Sequence, residues 1–160
     1  MSRANRFLAL LAAAAAIPAA AQVTTCNGSS VAFSLGNYDA YQSTPADAST
    51  PFVVTCTRTG GPGSTVVTVG LGASFNSGTT AVRRLKHATA ADLLTYNVYR
   101  DAARLLVWGA TIGADTVSQS INLSNNTSGT ITFTMYGRID ALQDVRPGIY
   151  NDSMTITVTF

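Results

Sequence analysis

From Ser153 to Phe160 the chain alternates without a break. Met154, Ile156, Val158 and Phe160 fall on one face, and Ser153, Thr155, Thr157 and Thr159 on the other. Successive strand side chains point to opposite faces, so this pattern predicts a strand with one dry and one wet side. The sequence as given stops on it, which leaves its far edge to be covered by something else. The same period recurs upstream. Val31, Phe33 and Leu35 alternate with Ala32 and Ser34, predicting a first strand closed by Gly36-Asn37. Further strands are predicted over residues 52–57, 65–71, 93–100, 105–108, 117–123 and 130–138, with turns at Gly60-Gly61-Pro62-Gly63 and across 124–129. Residues 38–50 read as a polar loop around Pro45. Residues 72–91, which hold Arg83, Arg84, Lys86 and His87, read as a long surface loop with room for one short strand.

Composition supports an all-β reading. The chain has no Glu and one Lys, while Thr, Ser, Asn and Gly are abundant. Helical surfaces favour Glu and Lys, whereas Thr and β-branched residues suit strands. Short strands at intervals of roughly 8–15 residues, with no helical period, predict a single-domain β-sandwich.

The first residues carry a different signal. Arg3 and Arg6 precede an apolar run over 7–17, and Ala19-Ala20-Ala21 follows. That is the three-part pattern of a secretory signal peptide. The expectation is a signal peptide over 1–21, removed by cleavage after Ala21, and a mature domain over 22–160. The run falls short of the ~20 residues of a membrane span. Without Arg3 and Arg6, eight basic residues face eight aspartates. A neutral chain gives no electrostatic reason to bind nucleic acid, which requires a basic face.

Cys26 and Cys56 in an exported chain most simply form one disulfide. Free thiols or a metal pair are the alternatives, but two Cys and one distant His fall short of a four-ligand zinc site. Catalytic chemistry has little to draw on. His87, the one histidine, is expected as an exposed loop residue, and no serine lies in a nucleophile elbow. The aspartates sit at turns, without calcium-loop spacing or a paired glycosidase arrangement. Trp108 is either a core residue, the favoured reading, or a platform for stacking sugars. No enzyme, cofactor or small-molecule substrate is expected.

Several segments, in order, carry a resemblance. They are Cys26 followed by Phe33-Ser34-Leu35-Gly36-Asn37-Tyr38; Val54-Thr55-Cys56-Thr57; Arg84-Leu85; Leu94-Thr95-Tyr96-Asn97-Val98-Tyr99-Arg100-Asp101; and Trp108-Gly109. Tyr136-Gly137-Arg138-Ile139 and Gln143 through Gly148-Ile149-Tyr150-Asn151-Asp152 complete the set. Together they resemble the spore coat protein U domain, the pilin-like module of archaic chaperone–usher fimbriae. The resemblance covers nearly the whole mature chain. It implies an immunoglobulin-like β-sandwich lacking its final strand, with a groove between the first and last strands. A periplasmic chaperone fills that groove first, and at the outer-membrane usher a neighbouring subunit's donor strand replaces it. On this chain the groove would be lined by Val31, Phe33, Leu35, Met154, Ile156, Val158 and Phe160. The Phe160 carboxylate would be held by the chaperone, and Cys26 and Cys56 would be disulfide-bonded.

The chain departs from the family's pattern in two places. Polymerising subunits carry an alternating donor segment ahead of the first cysteine. Here Gln22-Val23-Thr24-Thr25 would span only about 13 Å at ~3.3 Å per residue. That implies a subunit that accepts a donor without being one, at a fibre tip or in an accessory position. Ala110 after Trp108-Gly109, where a small polar residue is expected, is the milder departure. A self-complete secreted sandwich that binds carbohydrate or another surface is the alternative.

Overall fold

The computed structural model describes residues 21–160, so the expected signal peptide lies, apart from Ala21, outside the described residues. There are nine strands and no helix among them. In chain order they are β1 (Val23–Gly28), β2 (Ala46–Thr59), β3 (Gly63–Leu71), β4 (Arg83–His87) and β5 (Leu93–Tyr99). They continue with β6 (Val117–Leu123), β7 (Thr127–Ile139), β8 (Tyr150–Asn151) and β9 (Ile156–Thr159). A six-stranded sheet runs β1-β2-β7-β5-β4-β8, and a three-stranded sheet runs β6-β3-β9. All the pairings are antiparallel.

The inward faces of the two sheets form one core. Phe52, Val54, Ile131 and Phe133 of the large sheet meet Val67, Val69 and Leu71 of the small one, each almost wholly buried. In β2 and β7 they alternate with the more exposed Val53, Thr55, Thr132 and Thr134, as the period of two requires, whereas in β3 half-buried Thr68 and buried Gly70 intervene. Trp108 lies between the sheets, 1 % exposed, with its ring against Phe133. Its Nε1–H donates to the Val69 carbonyl at 2.9 Å. That satisfies the polar tip of a buried indole and removes it as a sugar platform. Ala110, the milder departure, is exposed.

The disulfide is present. Cys26 and Cys56 face each other in the β1–β2 register, with Cα atoms 4.0 Å apart, and both are buried. The bond therefore staples neighbouring strands of one sheet. Cys26 is the one buried residue of β1.

The structure departs from the expected elements in several places. Residues 46–50 of the expected polar loop belong to β2 and pair with β7, and the terminal strand is confined to Ile156–Thr159. Residues 31–35 form no strand. Their alternation is real: Val31, Phe33 and Leu35 are half-buried against the core, with exposed Ala32 and Ser34 between them. A strand also needs a neighbour, and the chain leaves β2 at Gly28, which pairs with Val54. Gly28 is tucked so close that a Cβ there would collide with Phe52 and press on Val158. The first strand is instead Val23–Gly28, whose side chains are mostly exposed and so show little alternation. Residues 105–108 contribute only a bridge from Val107 to Tyr99.

Residues 72–91 do contain one short strand, β4, as allowed for, but its ends are not at the surface. Arg83 is fully buried and His87 is 9 % exposed. The His87 ring meets Tyr150 edge-on and lies within 3.2 Å of the Pro147 carbonyl, so it is not an exposed loop histidine.

A candidate strand-accepting cleft

β9 hydrogen-bonds to β3 from Thr68↔Thr159 to Leu71↔Ile156. On its other side it pairs with no strand among the described residues, so it is an open edge of the small sheet. Beside that edge lies a cavity of about 290 Å³. One wall is Gly28 to Val31; the other is Met154, Ile156 and Val158, with Phe52 as floor.

A larger cavity of about 790 Å³ has residues 32–41 on one wall and 144–151 on the other, over Leu85, Leu94 and Ile139. The wall segments follow one another along the chain, 28–31 then 32–41 on one side and 144–151 then 154–158 on the other. The two cavities are thus successive parts of one cleft between antiparallel walls.

Of the seven residues expected to line a groove, the small cavity brings together Val31, Met154, Ile156 and Val158. Phe33 and Leu35 belong to the large cavity, where both reach over Gly137 of β7 closely enough that a Cβ there would collide with them. Phe160 lines neither and is 52 % exposed. The other six are each half-buried, neither sealed in the core nor released to water. The wall facing β9 is an irregular segment and not the strand that was expected. Between residues 29 and 38 the one hydrogen bond to a main-chain N–H joins Gly36 to the Ser34 hydroxyl.

A set of buried polar side chains holds the walls. The Arg83 guanidinium donates to the carbonyls of Leu71 (3.2 Å), Gly72 (2.9 Å) and Trp108 (2.8 Å), and to Asn97 Oδ1 (2.6 Å). Burial pulls its pKa below the usual arginine range, opposed by the fields of Tyr96, Asp152 and Asp115. Asn97 donates in turn to the carbonyls of Thr80 and Ala81.

The Tyr96 hydroxyl donates to Asp152 Oδ2 at 2.7 Å; burial first, and that carboxylate second, push the phenol well above its ordinary pKa. The Gln143 side chain accepts from the N–H and donates to the carbonyl of Thr95, while the Gln143 main-chain N–H donates to the Tyr38 hydroxyl at 2.7 Å. That last bond ties the two walls of the large cavity together.

Sequence reasoning did not single out Arg83, Asn97, Tyr96, Gln143 or Asp152 as site residues. The signal for most of them was their place within the segments that carried the resemblance.

The family model for the Spore Coat Protein U domain matches residues 9–157. This chain belongs to the spore coat protein U domain family. Protein U of Myxococcus xanthus is 34 % identical over 98 residues, a match covering 59 % of this chain and 51 % of that protein. The chain thus spans about half the length of the curated relative it matches.

Among solved structures it is similar to a chain of the CsuC–CsuE chaperone–tip adhesion subunit pre-assembly complex, from archaic chaperone–usher Csu pili of Acinetobacter baumannii. The TM-score is 0.54 at 18 % identity, over 86 % of this chain and 40 % of that one. That likeness shows the fold. In this spore coat protein U domain the segments that carried the resemblance form its internal polar scaffold: Tyr38, Tyr96, Asn97, Gln143 and Asp152 tie strand ends to one another. The carbonyl of Trp108 is held by Arg83.

Proposed function

We propose that this chain is an exported subunit of a chaperone–usher pilus whose cleft accepts an extended strand from another molecule. The observation that carries the reading is the apolar cleft along β9, an edge strand whose inward side chains are only half-buried. An added strand would supply main-chain hydrogen bonds to the open edge and apolar side chains to the cavities. Each large apolar side chain taken fully out of water contributes about 1.5–3 kcal/mol. Both membership of the family and the fold shared with the Csu complex support a pilus subunit.

The partners in this reading are a periplasmic pilus chaperone, the outer-membrane usher and a neighbouring subunit. The route runs through the periplasm to the cell surface. Residues 23–28 are already committed to β1, with Gln22 held by Arg58 at 2.6 Å, so this stretch supplies no donor strand. That supports an accepting role, at a tip or an accessory position. The carbohydrate-binding alternative loses its candidate platform with Trp108 in the core.

Periplasmic co-expression tests the reading. Expressed alone, the chain is expected to be degraded or to aggregate. A chaperone encoded beside a pilus usher is expected to raise its soluble yield at least tenfold, as a one-to-one complex. A stable, soluble monomer made without any chaperone would contradict the proposal.

A further inference from the structure

The wall that carries β9 changes sheets partway along the cleft. At β8 it pairs with β4, through Lys86↔Asn151 and His87↔Tyr150, in the large sheet. At β9 it pairs with β3 in the small sheet. The lining of the large cavity ends at Asn151 and that of the small cavity begins at Met154, so the joint between the two halves is Asp152-Ser153.

Asp152 is fastened there on both sides. Its Oδ2 accepts the Tyr96 hydroxyl of β5 at 2.7 Å, and its Oδ1 accepts the Asn76 Nδ2 (3.0 Å) and main-chain N–H (3.3 Å). Asn76 Nδ2 also reaches the carbonyls of Asn151 (2.9 Å) and Arg84 (3.0 Å). The next residue, Ser153, accepts from the Phe75 N–H at 3.0 Å, and Thr155 from Gly72 at 2.8 Å. The carboxylate is held by neutral donors from the large sheet and from the 72–82 loop, and no cation among the described residues lies within ion-pair distance. Oriented donors on a charged acceptor make strong, directional bonds.

We infer that Asp152 is a positioning residue of the cleft, a clamp that holds its two halves in one line so that a single extended segment occupies both at once. The inference rests on the proposed strand-accepting function and adds a specific device to it. An aligned pair of half-sites acts as a bivalent site. Filling the first half then delivers the same strand to the second at high effective concentration, an advantage of about 10²–10⁴-fold over a half-length ligand. A joint free to swing loses that advantage and leaves each half-site intact.

The test uses synthetic peptides of about twelve residues, ~3.3 Å each, alternating valine and threonine with a terminal lysine pair for solubility, and the two halves of that peptide. Affinity for the oxidised protein is read by fluorescence anisotropy. For the unaltered chain, the long peptide is expected to bind about 100-fold more tightly than either half. In Asp152→Asn, which keeps the size but turns an NH₂ toward the donors, that ratio is expected to fall below about 10-fold, the half-peptides binding as before.

Tyr96→Phe removes one donor without adding any and is expected to lower the ratio less. It serves as the second variant should Asp152→Asn not fold. If both variants keep the full length advantage, or weaken half and full peptides equally, the clamp is wrong while the cleft stands. If no peptide binds the unaltered chain at any length, the strand-accepting function falls and the clamp with it.

Discussion

Arg83→Ala is expected to cost more than about 5 kcal/mol and to leave little folded protein at 25 °C. The guanidinium is fully buried and serves five acceptors: the Leu71, Gly72, Thr80 and Trp108 carbonyls and Asn97 Oδ1. Asn97 Oδ1 and the Thr80 carbonyl keep bonds to the Val98 N–H and to Asn97 Nδ2, but truncation takes the side-chain donor from the Leu71, Gly72 and Trp108 carbonyls, and each unsatisfied buried polar group costs about 1–3 kcal/mol. The loss of the side chain's volume adds a cavity term. A domain of this size has about 5–15 kcal/mol in hand. Arg83→Lys is expected to recover only part of the loss, because an ammonium offers three donors on a shorter reach where the planar fork offers five. Urea unfolding followed by circular dichroism measures both variants. An Arg83→Ala midpoint close to that of the unaltered chain would mean that the carbonyls have other partners and that the Arg83 side chain does not hold the walls.

Removing the disulfide is the second large effect. The Cys26→Ala/Cys56→Ala variant is expected to be less stable by about 3–4 kcal/mol, the chain-entropy value for a closed loop of this length; the bond closes a sequence separation of 30. The structural consequence is local first. β1 has a single neighbour, β2, and Cys26 is its one buried residue, so the half-cystine is both its staple and the one β1 side chain sealed in the core. Without it, the amides of residues 23–28 are expected to lose hydrogen-exchange protection before the rest of the large sheet. Because Gly28 delivers the chain into the cleft wall, fraying of β1 is expected to weaken chaperone capture as well. Equal protection of β1 in the oxidised protein and the double variant would contradict this.

How much of this was legible in the sequence depended on whether local pattern or distant partners set each feature. The strands over 65–71, 93–99, 117–123 and 130–138 were readable because one face of each meets the core and alternation reports that directly. The same alternation at Val31, Phe33 and Leu35 reported inward-facing side chains correctly and a strand incorrectly, because periodicity carries no information about whether a neighbouring strand exists. Arg83 was not readable. Beside Arg84, Lys86 and His87 it looks like part of a solvated basic loop. What buries it are carbonyls at 71, 72 and 108 that only the fold brings together. Asp152 looked like one more aspartate at a turn; its role depends on Tyr96 and Asn76, far away in the chain.

The disulfide followed from the cysteine count and from the export that the leader pattern led one to expect. The cleft followed from the resemblance, since strand counting in one sequence cannot reveal an unpaired edge. The structure places six of the seven expected lining residues along it and leaves Phe160 outside.

The account turns on whether the outer edge of β9 has a partner of its own. Hydrogen exchange at residues 156–159, on the free oxidised chain and on its complex with a pilus chaperone, measures this directly. The amides turned away from β3 are expected to exchange rapidly in the free chain and to slow by about 100-fold or more in the complex, equivalent to about 2.7 kcal/mol of local stability. Amides already protected to that level in the free chain, and unchanged on binding, would mean that the sandwich closes on itself.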